Sequence, residues 1–357
     1  MNDNPFTYEN LCWAAKQCMR GVAWKNGTAR WRMNLLGNCR KLELEIASGK
    51  YHMGKTNMFR ITSPKPRDVS AILMRDRVVH KVICHQGGLI EDMFRNAYAC
   101  NCACQANKGT GWAIELFDSQ LHDFYQLHGV SDGWVLELDI RWFFDSIPHD
   151  KLVEWVYHRV RRSIVRKMVR EIIENHPGDT GIDLGSEVSQ ILANSYLTPV
   201  DYIIKQKFGI RHYVRYADNL VILVPPMSIA VLEDGSRIAI DGRRMAGMIY
   251  EGIRHAVSTL GLELNAKSSI HPLKQGVHFL GFRWRLSNSG KVERNILRSS
   301  VGRIRRRLKR LVKLYQEGRR TARQVMDSFT SWAAYAKNAT SEYQIHKLQD
   351  QLQELLK

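Results

Sequence analysis

The sequence predicts an α+β fold, and three observations point to it. Both ends of the chain repeat apolar residues at the three-and-four spacing of amphipathic helices. The middle holds short β-rich runs set among helical stretches. The most apolar of these runs, Tyr213 to Val224, is broken in its middle by Asp218 and Asn219, so it reads as a hairpin with a polar tip.

With 357 residues, the chain can build one large mixed domain or two to three coupled subdomains. At 44% hydrophobic and 25% charged residues, its composition is that of an ordinary globular protein. Its charge balance is not ordinary. The 53 Lys and Arg against 35 Asp and Glu leave +18, which favours a polyanionic partner because each cation placed on a phosphate releases counterions. An acidic membrane surface or an acidic protein would answer the same charge. No apolar run reaches transmembrane length, and the start Met1-Asn2-Asp3-Asn4-Pro5 lacks the shape of a signal peptide. The expectation is a cytoplasmic protein with no membrane partner. Seven cysteines, an odd number in a chain with its own core, argue against a disulfide framework. Cys100, Cys102 and Cys104 lack a partner pair for zinc and are expected as reduced residues on a buried strand face.

Residues 1 to about 50 read as two helices, one with Leu11, Ala14, Ala15, Met19 and Val22 inward, the other with Trp31, Leu35, Leu36, Cys39, Leu42 and Ile46. Residues 57 to 62 and 69 to 72 read as strands joined by Ser63-Pro64-Lys65-Pro66-Arg67-Asp68, where two prolines impose a turn. That turn holds out Lys65 and Arg67, either as a phosphate clamp or as a solvated hairpin. Arg75 to Leu89 is expected to be helical, Tyr98 to Cys104 extended, and Trp112 to Leu127 helical after Lys108-Gly109-Thr110-Gly111, a weak anion-binding signal. Val135 to Ile140 is a strand ending near Asp139, followed by helices from Asp150 to His158 and from Arg161 to Asn175. A helix from Ile191 to Phe208, kinked at Pro199, precedes the polar-tipped hairpin. A small hairpin with an Asp234-Gly235 turn, a helix from Met245 to Leu260 capped by Gly261, and a strand from His278 to Trp284 follow. From Ser299 onward three helices form a separate unit. Its first helix places seven cations between positions 303 and 313, a density that favours nucleic-acid contact over a merely solvated face.

Asp218 alone would equally well cap a turn. A second strand, ending at Asp139, changes this, because two strand ends can bring two carboxylates to one pair of divalent ions. Two metals about 4 Å apart activate a 3′-hydroxyl and neutralise a leaving pyrophosphate. Hard oxygen ligands suit Mg²⁺, with Mn²⁺ as an alternative. Lys65 and Arg67 would then hold a triphosphate, and Phe144 would exclude a 2′-hydroxyl; without Asp139 beside it, Phe144 reads as a core aromatic.

Several stretches resemble, in order, the motifs of bacterial reverse transcriptases. They are Pro64-Lys65-Pro66-Arg67, Lys108-Gly109-Thr110, Leu138 to Ile147, Gly185-Ser186-Glu187-Val188-Ser189-Gln190, Arg215-Tyr216-Ala217-Asp218-Asn219, Leu264-Asn265-Ala266-Lys267 and Phe279-Leu280-Gly281-Phe282. The Gly-x-x-x-Ser-Gln form resembles enzymes of diversity-generating retroelements and defence-associated reverse transcriptases. Group II intron enzymes usually have Gln-Gly-x-x-x-Ser-Pro there. The resemblance implies a right-hand polymerase: fingers at about 1–134, a palm with an antiparallel sheet at 135–285, and a three-helix thumb at 286–357. It implies that Asp139 and Asp218 are catalytic, holding two Mg²⁺ ions together with the Ile140 carbonyl and, more weakly, Asn219. Lys65, Arg67, Phe144, Leu184, Gln190 and Lys267 would meet the nucleotide. Phe279, Leu280, Gly281 and Phe282 would form the primer grip, and Arg303, Arg306, Arg307 and Arg310 would track nucleic acid.

The implied activity is RNA-directed DNA polymerisation that copies a non-coding RNA template into cDNA from dNTPs, in antiphage defence or in diversification. An accessory protein or a homo-oligomer would be a further partner. Three positions depart from the family pattern. Asn219 stands where a second Asp is usual. Gln105 replaces an Arg three residues before Lys108-Gly109-Thr110. Leu184 replaces a common Gln, a change associated with relaxed base selection. Asn219 and Gln105 leave a second reading open, an RNA-binding scaffold subunit without catalysis, and template-independent synthesis is a third.

Overall fold

The computed structural model describes residues 4–62, 66–231 and 237–356. Its centre is a four-stranded antiparallel sheet in the order β4-β5-β3-β8, formed by β3 (Trp134–Asp139), β4 (Tyr213–Tyr216), β5 (Asn219–Val224) and β8 (Ser269–Pro272). The unbroken apolar run Leu220 to Val224 has a direct cause: this sheet is covered on both faces. Leu136, Leu138, Leu220, Ile222 and Val224 point into one core, and Val135, Val214, Val221 and Leu223 into another.

The first core is closed by helices. At the N-terminal end these are α1 (Tyr8–Met19), α2 (Asn26–Met33), α3 (Leu35–Ala47), α4 (Met74–Cys84) and α5 (Leu89–Phe94). The expected pair of N-terminal helices is therefore three. Lys25 and Asn34 interrupt the stripe, and only Thr28 of α2 is buried. Along the sheet the same core takes in α8 (His149–Arg159), α9 (Ser163–Glu174), α10 (Glu187–Tyr196), α11 (Thr198–Tyr202) and α12 (Gly242–Thr259). The single helix expected over 191–208 is broken rather than kinked. Pro199 lies in the first turn of α11, where its missing N–H costs nothing, and a wide turn follows over Ile203–Lys207. Asp241 caps α12 by accepting from the amides of Arg243 and Arg244, and Gly261 follows its end at φ +75°.

The second core lies under α6 (Thr110–His128) and the three-stranded sheet β11-β10-β9. Here β9 is Val277–Phe279, β10 Phe282–Leu286 and β11 Val292–Ile296. The strand expected from His278 to Trp284 is thus a hairpin. Leu280 and Gly281 form its turn at φ +51° and +80°, and Phe279 faces Phe282 across it. The expected 98–104 strand is not one either. That segment turns, touching β4 by a single parallel bridge from Asn101 to Arg215, with Cys100 and Cys102 buried. Two further antiparallel pairs form sheets of their own: β1 (Asn57–Ile61) with β2 (Arg67–Ala71), and β6 (Met227–Val231) with β7 (Arg237–Asp241); the Asp234-Gly235 turn expected between the latter two lies outside the described residues.

The C-terminal helices α13 (Arg298–Gln316), α14 (Ala322–Ala336) and α15 (Glu342–Leu356) have a core of their own. In α13, Ile304, Leu308 and Val312 face inward, while all seven cations from 303 to 313 are exposed. Among the described residues no helix is long and apolar enough to cross a membrane.

Candidate active site

Antiparallel pairing of β3 with β5 places Asp139 directly opposite Asn219, one residue from Asp218. The turn between β4 and β5 is only Ala217-Asp218, so Asn219 already belongs to the strand. Ala217 sits at φ +53°, which costs a non-glycine residue on the order of 1 kcal/mol. What holds it there is Arg215, whose guanidinium donates to the Ala217 carbonyl at 3.0 Å. Arg215 is fully buried and forms a two-pronged ion pair with Asp201 at 2.5 and 2.7 Å. Its remaining contact is to Asn194 Oδ1 at 2.6 Å, and Tyr213 donates to the same Asp201 at 2.6 Å. Burial opposes the Arg215 charge, but Asp201 overturns that and keeps the guanidinium protonated. The reactive-looking turn therefore rests on a rigid, fully desolvated polar base.

Around the turn opens a cleft of about 1070 Å³. Arg67, Asp139, Ile140, Phe144, Leu184, Asp218, Asn219 and Lys267, all predicted from sequence, line it together. Asp139 and Asp218 are half-buried, and Asn219, Arg67 and Lys267 are exposed. Phe144 is half-buried and meets the buried Phe143 edge-on at 5.6 Å. Lys65 lies outside the described residues. Gln190 is exposed on α10 and is not among the residues that line the cleft.

Four of the lining residues carry oxygens that would be available to a hard divalent cation: the carboxylates of Asp139 and Asp218, the Ile140 carbonyl and the Asn219 amide. Among the described residues no group of three or more His, Cys, Asp or Glu gathers, so water and substrate would complete any coordination shell. The Asn219 side chain turns its nitrogen toward Asp218, donating to Oδ1 at 3.2 Å. In that orientation it steadies the carboxylate rather than adding a charge.

Sequence reasoning passed over several cleft residues. Asn265 donates to Asp139 Oδ2 at 3.1 Å, and its own amide donates to the Asp139 carbonyl at 2.7 Å. Its side-chain oxygen accepts the Lys267 amide at 3.1 Å, so one asparagine ties the carboxylate to the lysine loop. The Asp139 amide donates to Ser268 Oγ at 3.2 Å. Arg60, Asp68 and Asp145 also line the cleft. The Leu264-Asn265-Ala266-Lys267 stretch was the available signal for Asn265, the Leu138 to Ile147 motif for Asp145 and the proline-flanked turn for Asp68; nothing local marked Arg60.

Lys108 does not reach the cleft. It donates to the Asn101 carbonyl at 2.9 Å and to Gln105 Oε1 at 3.1 Å, and burial lowers its pKa. Its role is to close the 101–108 turn, so the weak anion-binding signal at 108–111 has a structural source. The Phe279-Leu280-Gly281-Phe282 turn packs on α14. Tyr335 donates to the Leu280 carbonyl at 3.0 Å and stacks on Phe282 at 4.8 Å. On α13, Arg306, Arg307 and Arg310 line a groove of about 850 Å³ together with Arg320 and Thr62. Arg303 is exposed nearby on the same helix.

A model of the reverse transcriptase (RNA-dependent DNA polymerase) family matches residues 63–284, the span that holds both strand-borne carboxylates and nearly all of the cleft. The chain belongs to the reverse transcriptase family. No match was found among curated proteins. Within this reverse transcriptase the matched span stops just short of the basic C-terminal helices, which the sequence and the fold alone describe.

Proposed function

We propose that the cleft copies an associated non-coding RNA into cDNA by two-metal nucleotidyl transfer, in the service of antiphage defence. The observation that carries this reading is the convergence of Asp139, Asp218, Phe144, Arg67, Leu184 and Lys267 on one cleft, drawn from positions scattered over two hundred residues. When bound, two Mg²⁺ ions would supply activation of the primer hydroxyl and neutralise the leaving pyrophosphate. Asp139 and Asp218 hold that charge in place, and the Ile140 carbonyl assists. Arg67, with Lys65, grips the incoming triphosphate. Phe144 acts as the gate against a sugar 2′-hydroxyl, and Lys267 acts on the departing phosphates. The chain up to about residue 134 acts as fingers, 135–285 as palm and 286–357 as thumb. The Phe279–Phe282 turn grips the primer, and Arg303, Arg306, Arg307 and Arg310 follow the duplex phosphates.

The Gly185-Ser186-Glu187-Val188-Ser189-Gln190 form supports the retroelement and defence branches over group II introns. Diversification is the neighbouring alternative within this branch. A scaffold role without catalysis draws on a specific observation: Asn219 supplies an amide, turned toward Asp218, where a second carboxylate is usual.

The deciding experiment is dNTP incorporation on an RNA template with Mg²⁺. The wild-type chain is expected to extend the primer, and Asp218→Ala to lose about a thousandfold in rate, the scale of removing one charged stabiliser of a transition state. Asn219→Asp is expected to raise the rate. Equal or absent incorporation by wild type and Asp218→Ala would leave the scaffold reading in possession.

A further inference from the structure

The hairpin of β1 and β2 delivers Arg67 to the cleft, yet it is a lone two-stranded sheet with nine of its ten residues exposed or half-exposed. Such a hairpin is marginal in water on its own. Its one buried residue is Ser70. The Ser70 amide donates to the Leu184 carbonyl at 2.9 Å, and its hydroxyl donates to Asp183 Oδ1 at 2.8 Å. Met58 Sδ is 3.1 Å from the same hydroxyl, but a carboxylate is much the stronger acceptor. Asp183 is 8% exposed, and the same Oδ1 also meets His176 Nδ1 at 3.1 Å.

The loop that contains Asp183 and Leu184 is also fastened to the turn that bears Phe144. The Ile182 amide donates to the Phe144 carbonyl at 2.9 Å, and the Gly181 amide to the Ile147 carbonyl at 2.8 Å. Gly185 lies at φ +120°, where an added Cβ would stand 2.9 Å from the Ser70 carbonyl. Residues 181–185 therefore form a short bridge. One end grips the Arg67 strand, the other grips the Phe144 turn, and Leu184 in between lines the cleft.

The geometry points to Ser70 and Asp183 as positioning residues that set how far Arg67 and Leu184 reach into the cleft, and so which nucleoside triphosphate the site accepts. This rests on the polymerase reading. Neither residue touches the nucleotide; both act through the bridge. Loosening it lets the triphosphate clamp and the residue beside the base drift relative to the Phe144 gate, which weakens nucleotide binding and blurs the choice of base.

The test is single-nucleotide incorporation on an RNA template with Mg²⁺, scored as kcat and KM for the matched and the mismatched dNTP. Ser70→Ala is expected to raise the matched KM about tenfold, the scale of one hydrogen bond to a charged acceptor, with kcat changed less than about threefold. The matched-to-mismatched ratio of kcat/KM should shift by about threefold or more. Ser70→Thr keeps the hydroxyl and should stay within about twofold of wild type. Equal loss for both nucleotides, a loss in kcat alone, or Ser70→Thr no better than Ser70→Ala would overturn the proposal. Hydrogen exchange provides an arm independent of activity. Ser70→Ala should raise amide exchange in β1, β2 and residues 181–186 and leave β10 and β11 unchanged. A wild-type chain that incorporates nothing would sink the polymerase reading, and the exchange arm would still decide the bridge: unchanged protection overturns it.

Discussion

Arg215 and the arginines of α13 show the same side chain under opposite conditions. Arg215 is fully buried beneath the Ala217-Asp218 turn and makes four hydrogen bonds to protein groups. Arg303, Arg306, Arg307 and Arg310 are exposed and form no ion pair among the described residues. A desolvated guanidinium is tolerable only where fixed partners replace water, so Arg215 defines a geometry. An exposed, unpaired guanidinium keeps its hydration and its reach, so the α13 arginines offer charge without shape. The central sheet thus sets where atoms go, and the C-terminal bundle presents unpaired charge that a polyanion would meet.

The sharpest way to break this contrast is to remove the buried cation. Arg215→Met strips Asp201 of its counter-charge inside the core and leaves it only the Tyr213 hydroxyl, and losing one member of a buried ion pair costs about 3–5 kcal/mol. Denaturant unfolding should register a loss of that size. In the double variant Arg215→Met, Asp201→Leu, the stranded charge is gone and much of the stability should return. Primer extension should not return with it, because the Ala217 carbonyl still lacks the donor that holds the turn. Recovery of both would mean that Arg215 stabilises the core without shaping the site.

The two regions were also unequally legible in the sequence. Leu220 to Val224 announced a strand because both faces of the sheet are covered, and Asp139 and Asp218 stood out as carboxylates at the ends of apolar strands. The α13 helix was equally plain, since its apolar positions follow one face and its cations the other. What could not be read were the contacts that short polar residues make with partners remote in sequence. Asn265 meets Asp139 across 126 positions, and Ser70 meets Asp183 across 113. The turn at Leu280 was missed because leucine rarely adopts positive φ. The adjacent Gly281 was the only local hint; the contact with Tyr335 comes from α14. Local pattern reports burial and periodicity, and these features are set by neither.

His80 offers a milder probe of the buried side. It is 3% exposed, with Nδ1 3.0 Å from the hydroxyl of Ser186, the N-cap of α10, and no partner on Nε2 among the described residues. Burial lowers its pKa to about 4, against about 6.5 in an unfolded chain. Between these values the unfolded chain takes up a proton that the folded chain refuses. The stability held through neutral His80 is therefore complete above pH 6.5 and is lost as pH falls toward 4. From pH 7 to 4.5, unfolding free energy should fall by about 2 kcal/mol more in wild type than in His80→Gln. Parallel pH profiles for the two would mean that His80 is not held neutral by its surroundings.

The smallest effect on the folded state is expected on the exposed side. Arg306→Ala with Arg310→Ala removes two cations from the 850 Å³ groove, and surface changes of this kind move stability by no more than about 0.5 kcal/mol. Affinity for an RNA–DNA duplex should nonetheless fall about tenfold near 0.1 M salt, and the slope of log affinity against log salt should flatten by about 0.9 for each phosphate no longer neutralised. Both changes should be independent of sequence, because phosphate contacts position a duplex without reading bases. The salt slope is the discriminating quantity. A drop in affinity with an unchanged slope would mean that the arginines act by packing or by shaping α13. A flattened slope with intact stability would show that these cations, unlike Arg215, work only on a partner that is not yet there.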